Sequence, residues 1–235
     1  MRFDIMTLFP DEVNAFLNFS IIGRARKANL IDIYCHNIRD YTTDKHNRVD
    51  DYAYGGGKGM VMQPQPAIDC FKHIKDEVPD TYCIYLSPKD RKFTQSKAKA
   101  LLKKGNITLL CGHYEGIDQQ IIDLIVDEEI SIGDFVLTGG ELPAMAIVDS
   151  VSRMIPGVLA DSSCYEEESI YSGLLEYPQY TRPPVYEGLE VPEVLQNGNH
   201  ALIKKWKLEK SLEITQQRRK DLYRRFINKK EGSKK

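Results

Sequence analysis

An α/β fold, with a parallel sheet covered by helices on both faces, is the architecture this 235-residue sequence predicts. Two observations carry that expectation. Short apolar runs rich in β-branched and aromatic residues recur between residues 3 and 132, and helix-like segments separate most of them. Strands joined through single helices form parallel sheets buried on both faces, and such sheets bind ligands at the carboxyl ends of their strands.

The first strand is read at Phe3–Phe9. Pro10-Asp11-Glu12 then opens a helix with an acidic first turn, and Val13, Phe16, Leu17 and Ile21 continue it at helical spacing. Leu30–Cys35 is the second strand and Gln63–Val78 the second helix. Tyr82–Leu86 and Ile107–Cys111 are further strands, with a helix over Thr94–Lys104 that stops at Gly105. Helix Ile117–Ile125, strand Glu129–Ile132 and helix Glu141–Met154 complete the rhythm.

Composition changes after Pro156-Gly157. Ala160–Ser172 holds four carboxylates, serines and few aliphatics, so it buries little and reads as a mobile linker. Residues 173–184 form an extended, proline-stiffened stretch, and a helical pattern runs from Asn199. The expected division is a domain at 1–160, a linker at 161–172 and a small all-helical basic domain at 173–235.

At 42% hydrophobic and 28% charged residues the chain is not of the disordered class. Charges interrupt every apolar stretch well before the roughly 18 residues a membrane span needs, and Met1 leads into Arg2-Phe3-Asp4-Ile5 with no secretory core, so the expected location is the cytoplasm, away from membranes. Cys35, Cys70, Cys83, Cys111 and Cys164 include no C-x-x-C pair and read as reduced thiols. Residues 1–199 carry a net charge of −11 and residues 200–235 one of +9, a distribution suited to gripping a polyanion through the basic end.

Three glycine-bearing segments stand out. Tyr54-Gly55-Gly56-Gly57-Lys58-Gly59-Met60 lacks the Lys-Ser/Thr step of a P-loop and reads as a tight loop offering backbone amides to a ligand. His46, Arg48, Asp50 and Asp51 precede it in a long connection. Cys111-Gly112-His113-Tyr114-Glu115-Gly116-Ile117-Asp118 and the run from Ile130 through Thr138-Gly139-Gly140-Glu141-Leu142-Pro143 each follow an apolar strand. Two glycine-bearing strand ends predict a small-molecule pocket. No second His or Cys falls at zinc spacing from His113, so no metal site is expected.

These motifs, with Tyr180-Thr181-Arg182-Pro183 and Gly198-Asn199-His200, stand in the order found in bacterial tRNA (guanine-N1)-methyltransferases, which the chain resembles from Met1 to about Trp206. The resemblance implies a SPOUT-type domain with a deep trefoil knot. It also implies a homodimer with its active site at the subunit interface, S-adenosyl-L-methionine as methyl donor, and methylation of the tRNA guanine directly 3′ of the anticodon. Carried over motif by motif, the donor pocket comprises Tyr85, Leu86, Ser87, Pro88, Gly112, Tyr114, Glu115, Ile132, Gly133, Asp134, Phe135, Val136, Leu137, Gly139, Gly140 and Pro143. The tRNA contacts it implies are Asp50, Gly57, Asn199, Lys204 and Lys205.

Methylating guanine N1 requires a base for its proton and a cation near O6 for the charge that develops there. By the same resemblance the cation is Arg153, and a gap-free count from it puts Glu168 at the position where the family carries an Asp base. Glu166 and Glu167 adjoin it and leave the register of the base open. The chain also departs from the family at Lys58, usually Pro, at Asp90, usually Gly, and at Gln120, usually Arg. Two other readings share parts of the pattern: a SPOUT methyltransferase acting on ribosomal RNA, and a non-catalytic nucleic-acid-binding regulator. The first does not account for the Tyr-Thr-Arg-Pro and Gly-Asn-His segments, and the second gives the strand-end pocket no purpose.

Overall fold

The computed structural model describes residues 1–161 and 168–232. The chain divides into two compact units, Met1–Asp161 and Ser162–Lys235. In the first, strands β1 (Arg2–Thr7), β2 (Asp32–Asn37), β3 (Asp50–Tyr52), β4 (Met60–Met62), β5 (Tyr82–Leu86), β6 (Asn106–Leu110) and β7 (Glu128–Ile130) are interspersed with helices α1 (Pro10–Leu17), α2 (Ser20–Lys27), α3 (Pro64–Glu77), α4 (Gln95–Leu102), α5 (Gln119–Ile125) and α6 (Glu141–Ser152). Five strands make one sheet in the order β2-β1-β6-β5-β7, with every pairing parallel. The remaining two, β3 and β4, form an antiparallel hairpin of their own.

Alternation along β1 sets the layers. Met6, Leu110 and Cys83 pack with Ala67, Cys70, Phe71 and Ile74 of α3 and Ile121 of α5 on one face. On the other face α6 lies against β1, α1 and α4, and Ile147, Val148 and Val151 of α6 are fully buried there. Each such side chain contributes about 1.5–3 kcal/mol by leaving water. Burial also raises the thiols of Cys70, Cys83 and Cys111, which keeps them protonated and inert.

The single helix expected through Ile21 is two helices. Ser20 takes φ +53° and breaks the run, so Ile22 rather than Ile21 enters the core, and Phe16 and Phe19 are left exposed. Gly23 is required at the corner, because a Cβ there would lie 1.9 Å from Asn18 O.

The second unit is not all-helical, contrary to the expectation. It carries a hairpin of β8 (Val185–Tyr186) and β9 (Leu189–Glu190) turned at Glu187-Gly188, both at positive φ, before α7 (His200–Arg218) and α8 (Lys220–Gly232). Asn199 caps α7 by accepting a hydrogen bond from Leu202 N at 3.2 Å. Thr215 Oγ1 of α7 accepts from Leu175 N at 2.8 Å, which ties the extended segment to the helix. Within the stretch read as a linker, residues 168–172 form a hydrogen-bonded turn closed by Ile170 N to Leu174 O at 2.8 Å. Cys164, Glu166 and Glu167 lie outside the described residues.

Candidate functional site

The carboxyl ends of β5, β6 and β7 adjoin one another in the sheet, and the chain leaving each of them lines a single cavity of about 280 Å³. Tyr85, Leu86, Ser87 and Pro88 come from the first, Gly112, Tyr114 and Glu115 from the second, and Ile132, Gly133, Phe135, Val136, Leu137, Gly139, Gly140 and Pro143 from the third. Asp134, expected among them, does not line the cavity. Its carboxylate is solvent-exposed and pairs with Lys92 instead.

Backbone hydrogen bonds lace these segments together. Ser87 N donates to Ile130 O at 3.1 Å, Phe93 N to Ser131 O at 2.6 Å, and Ser131 N to Arg91 O at 3.2 Å. Gly140 N donates to Gly112 O at 3.0 Å. A Cβ on Gly140 would lie 2.6 Å from Cys111 Cα, and one on Gly112 would lie 2.9 Å from the Tyr85 ring, so both glycines are demanded by close approach. Tyr85 and Tyr114 have phenols raised by burial, and Tyr114 OH accepts from Arg39 Nη2 at 3.3 Å. The cavity thus offers apolar side chains, backbone polar atoms, the side chains of Ser87, Lys89, His113 and Tyr114, and one carboxylate, Glu115. That combination suits a small amphipathic cation-bearing ligand.

A connection not read from the sequence includes His113 of the cavity lining. His113 Nε2 is 3.0 Å from Glu141 Oε2, and Thr7 donates its hydroxyl proton to Glu141 Oε1 at 2.7 Å. Gly139 sits on this pair, since a Cβ there would lie 2.3 Å from His113 and 2.4 Å from Glu141. The available signal was Thr7, a polar residue that directly follows the apolar pair Ile5-Met6 and is fully buried. Among the described residues no His, Cys, Asp and Glu group has the arrangement of a metal site, and no described helix is long and apolar enough to cross a membrane.

Of the other expected residues in the first unit, Asp50, Gly57 and Arg153 do not line the cavity. Arg153 is half-buried at the carboxyl end of α6, whose amino end opens at the cavity, so the helix separates them by about 18 Å at 1.5 Å per residue. Glu168 belongs to the second unit and is half-buried, with its carbonyl accepting from Ser172 N at 3.4 Å. Asp50 is in β3, and Gly57 is at the exposed tip of the β3–β4 hairpin. Asn199 caps α7, and Lys204 and Lys205 lie exposed on its first turns.

The family described as tRNA (Guanine-1)-methyltransferase TrmD matches residues 1–225 of the chain. Curated relatives are similar over nearly their whole length. A tRNA (guanine-N(1)-)-methyltransferase of Ruminiclostridium cellulolyticum is 54% identical over 230 residues, 97% of this chain and 99% of the relative. Proteins of the same name from Clostridioides difficile and Clostridium acetobutylicum are 55% and 53% identical, covering 96% and 100% of this chain and 98% and 96% of theirs.

Proposed function

The chain belongs to the tRNA (guanine-1)-methyltransferase family, and from that premise we propose how its residues carry the reaction. It transfers a methyl group to N1 of a tRNA guanine, the one directly 3′ of the anticodon. The observation that carries the reading is the cavity at three adjoining strand ends, built from the glycine segments that the family's motifs mark.

S-adenosyl-L-methionine fits that cavity. Gly112 and Gly140 keep a cradle that any Cβ would fill, the floor of Leu86, Ile130 and Pro143 suits a flat ring, and Glu115 supplies a carboxylate for a cation. When bound, the donor supplies an electrophilic methyl on a sulfonium. The chain's own residues do the rest. Glu168 accepts the N1 proton, and the Arg153 guanidinium stabilises the negative charge that grows on O6.

The distance along α6 supports a homodimer with the active site at its interface. A single copy keeps Arg153 one helix length from its own cavity, and a second copy is what brings a guanidinium to it. The backbone hydrogen bonds that lace residues 87–93 to 130–131, with the one from Gly140 N to Gly112 O, support the trefoil knot. The basic helices α7 and α8, with Asn199, Lys204 and Lys205, are the tRNA-binding surface, and Asp50 and Gly57 contact the RNA from the hairpin. Such an enzyme works in the cytoplasm, where its substrate is.

Label transfer from methyl-labelled S-adenosylmethionine to bulk tRNA tests the reading. Labelled tRNA is the expected product. Labelling of ribosomal RNA alone, or of no RNA, contradicts it.

A further inference from the structure

Resting on the reading that the cavity holds S-adenosyl-L-methionine, we propose that Glu141 is a positioning residue for the donor. Through His113 it fixes the turn that presents Tyr114 and Glu115 to the cavity, and Thr7 holds it in place from outside the lining. Residues 113–116 all line the cavity. Gly116 N donates to His113 O at 3.2 Å and closes the turn, with Tyr114 inside it at φ +60°. That left-handed conformation is disfavoured for a residue with a bulky side chain, so the turn persists only where its surroundings fix both ends.

Backbone fixes the far end of the turn. Glu115 N donates to Met60 O and Met62 N to Gly116 O, each at 3.0 Å. The near end depends on side chains. His113 N donates to Met62 Sδ at 3.3 Å, His113 Nε2 lies 3.0 Å from Glu141 Oε2, and the His113 ring packs on Phe9 with centroids 5.0 Å apart. Glu141 and Phe9 are both tied to Thr7, whose hydroxyl accepts from Phe9 N at 3.0 Å and donates to Glu141 Oε1 at 2.7 Å. A carboxylate only accepts hydrogen bonds, so His113 gives its Nε2 proton to Glu141, and that bond sets the orientation of the ring.

The connection is enclosed as well as bonded. Thr7 is fully buried, and the His113 and Glu141 side chains are 19% and 15% exposed. Gly139, itself in the lining, leaves room for the pair only because it lacks a Cβ. Removing one member of such a chain leaves the next without its partner. Neither Thr7 nor Glu141 lines the cavity, so both act on the donor through His113.

Calorimetric titration of the full chain with S-adenosyl-L-methionine tests this, with thermal unfolding of the donor-free chain recorded for every variant. Thr7→Val, isosteric and outside the lining, should weaken donor binding about five-fold, the usual worth of one hydrogen bond, and Thr7→Ser should restore it. The single-turnover methylation rate of Thr7→Val at saturating donor should stay within about two-fold of wild type, because Arg153 and Glu168 are untouched. Glu141→Ala and His113→Ala should each cost about ten-fold in donor affinity, and the double variant about ten-fold as well, rather than the roughly hundred-fold loss of independent sites. Wild-type donor affinity in Thr7→Val, a loss that Thr7→Ser does not restore, or additive losses in the double variant overturns the proposal. Thr7→Val decides the matter if Glu141→Ala does not fold. A wild-type chain that does not bind the donor instead removes the reading beneath the proposal.

Discussion

Gly140 N donates a hydrogen bond to Gly112 O at 3.0 Å, and its α-carbon packs so closely that an added Cβ would lie 2.6 Å from Cys111 Cα. This contact joins the loop after β7 to the end of β6 and closes one side of the cavity. The neighbour is backbone at the end of a buried strand, so it cannot give way cheaply. Gly140→Ala should cost about 1–3 kcal/mol, the range for overpacking a tight site, and lower donor affinity by about ten-fold or more. Thermal unfolding and calorimetric titration with S-adenosylmethionine check both; wild-type affinity in the variant would mean the cavity is not the donor site.

Arg153→Ala should abolish methyl transfer with donor binding nearly intact, because the guanidinium acts on the guanine rather than on the donor. Mixing inactive Arg153→Ala chains with Gly140→Ala chains, at a donor concentration too low for the latter to turn over and under conditions that exchange subunits, should then restore activity. One of the two sites in the mixed dimer combines an intact cavity from one copy with an intact Arg153 from the other. No recovery in verified mixed dimers would place both functions in one copy.

Glu168→Gln should slow single-turnover methylation by about 10²–10⁴, the usual worth of a positioned base, and Glu168→Asp should retain much of the rate. Glu166→Gln and Glu167→Gln should change it little. A large loss at Glu167 with Glu168→Gln near wild type would shift the register by one residue.

Asp4 is fully buried on β1 and accepts from Arg2 Nε and His36 Nε2, each at 2.8 Å. Burial pushes this carboxyl up, but the hydrogen bonds from His36 and Arg2 together outweigh it and hold the group below the usual carboxylate range. A folded value depressed below the unfolded one, about 3.9, gives stability that is complete above that pH and lost as pH falls through the folded value. Asp4→Asn should therefore lower unfolding stability by about 3–5 kcal/mol at neutral pH, and the gap from wild type should narrow below about pH 4. Denaturant titrations at the two pH values measure it, and a gap that stays constant would contradict the assignment.

Much of the sheet was legible because its strands are long enough to show apolar runs. Tyr82–Leu86 was read to the residue, and the helix before it within one residue at each end. The hairpin β3–β4 was not, because β3 is polar at Asp50 and Asp51 and the apolar run of β4, Met60 to Met62, is only three residues long. The α1–α2 break was missed because Ile21 happens to continue the spacing of Val13 and Leu17, whereas the positive φ of Ser20 has no hydropathic signature. Hairpin β8–β9 failed to register because its strands are two residues each, and its apolar residues Val185, Tyr186 and Leu189 face solvent. In the cavity, glycines at strand ends marked the close approaches, but the outward turn of Asp134 depends on a loop conformation that residue type does not encode. The Thr7–Glu141–His113 connection joins residues up to 134 positions apart, beyond the reach of local spacing.

The central claim is that this chain methylates N1 of the guanine directly 3′ of the anticodon. Two tRNA transcripts differing only at that nucleotide, guanine in one and adenine in the other, can be incubated with the purified chain and labelled S-adenosylmethionine, digested to nucleosides and resolved by mass spectrometry. The account requires 1-methylguanosine from the first transcript and no label in the second. Equal labelling of both transcripts, or a methylguanosine modified at any other atom, would contradict it.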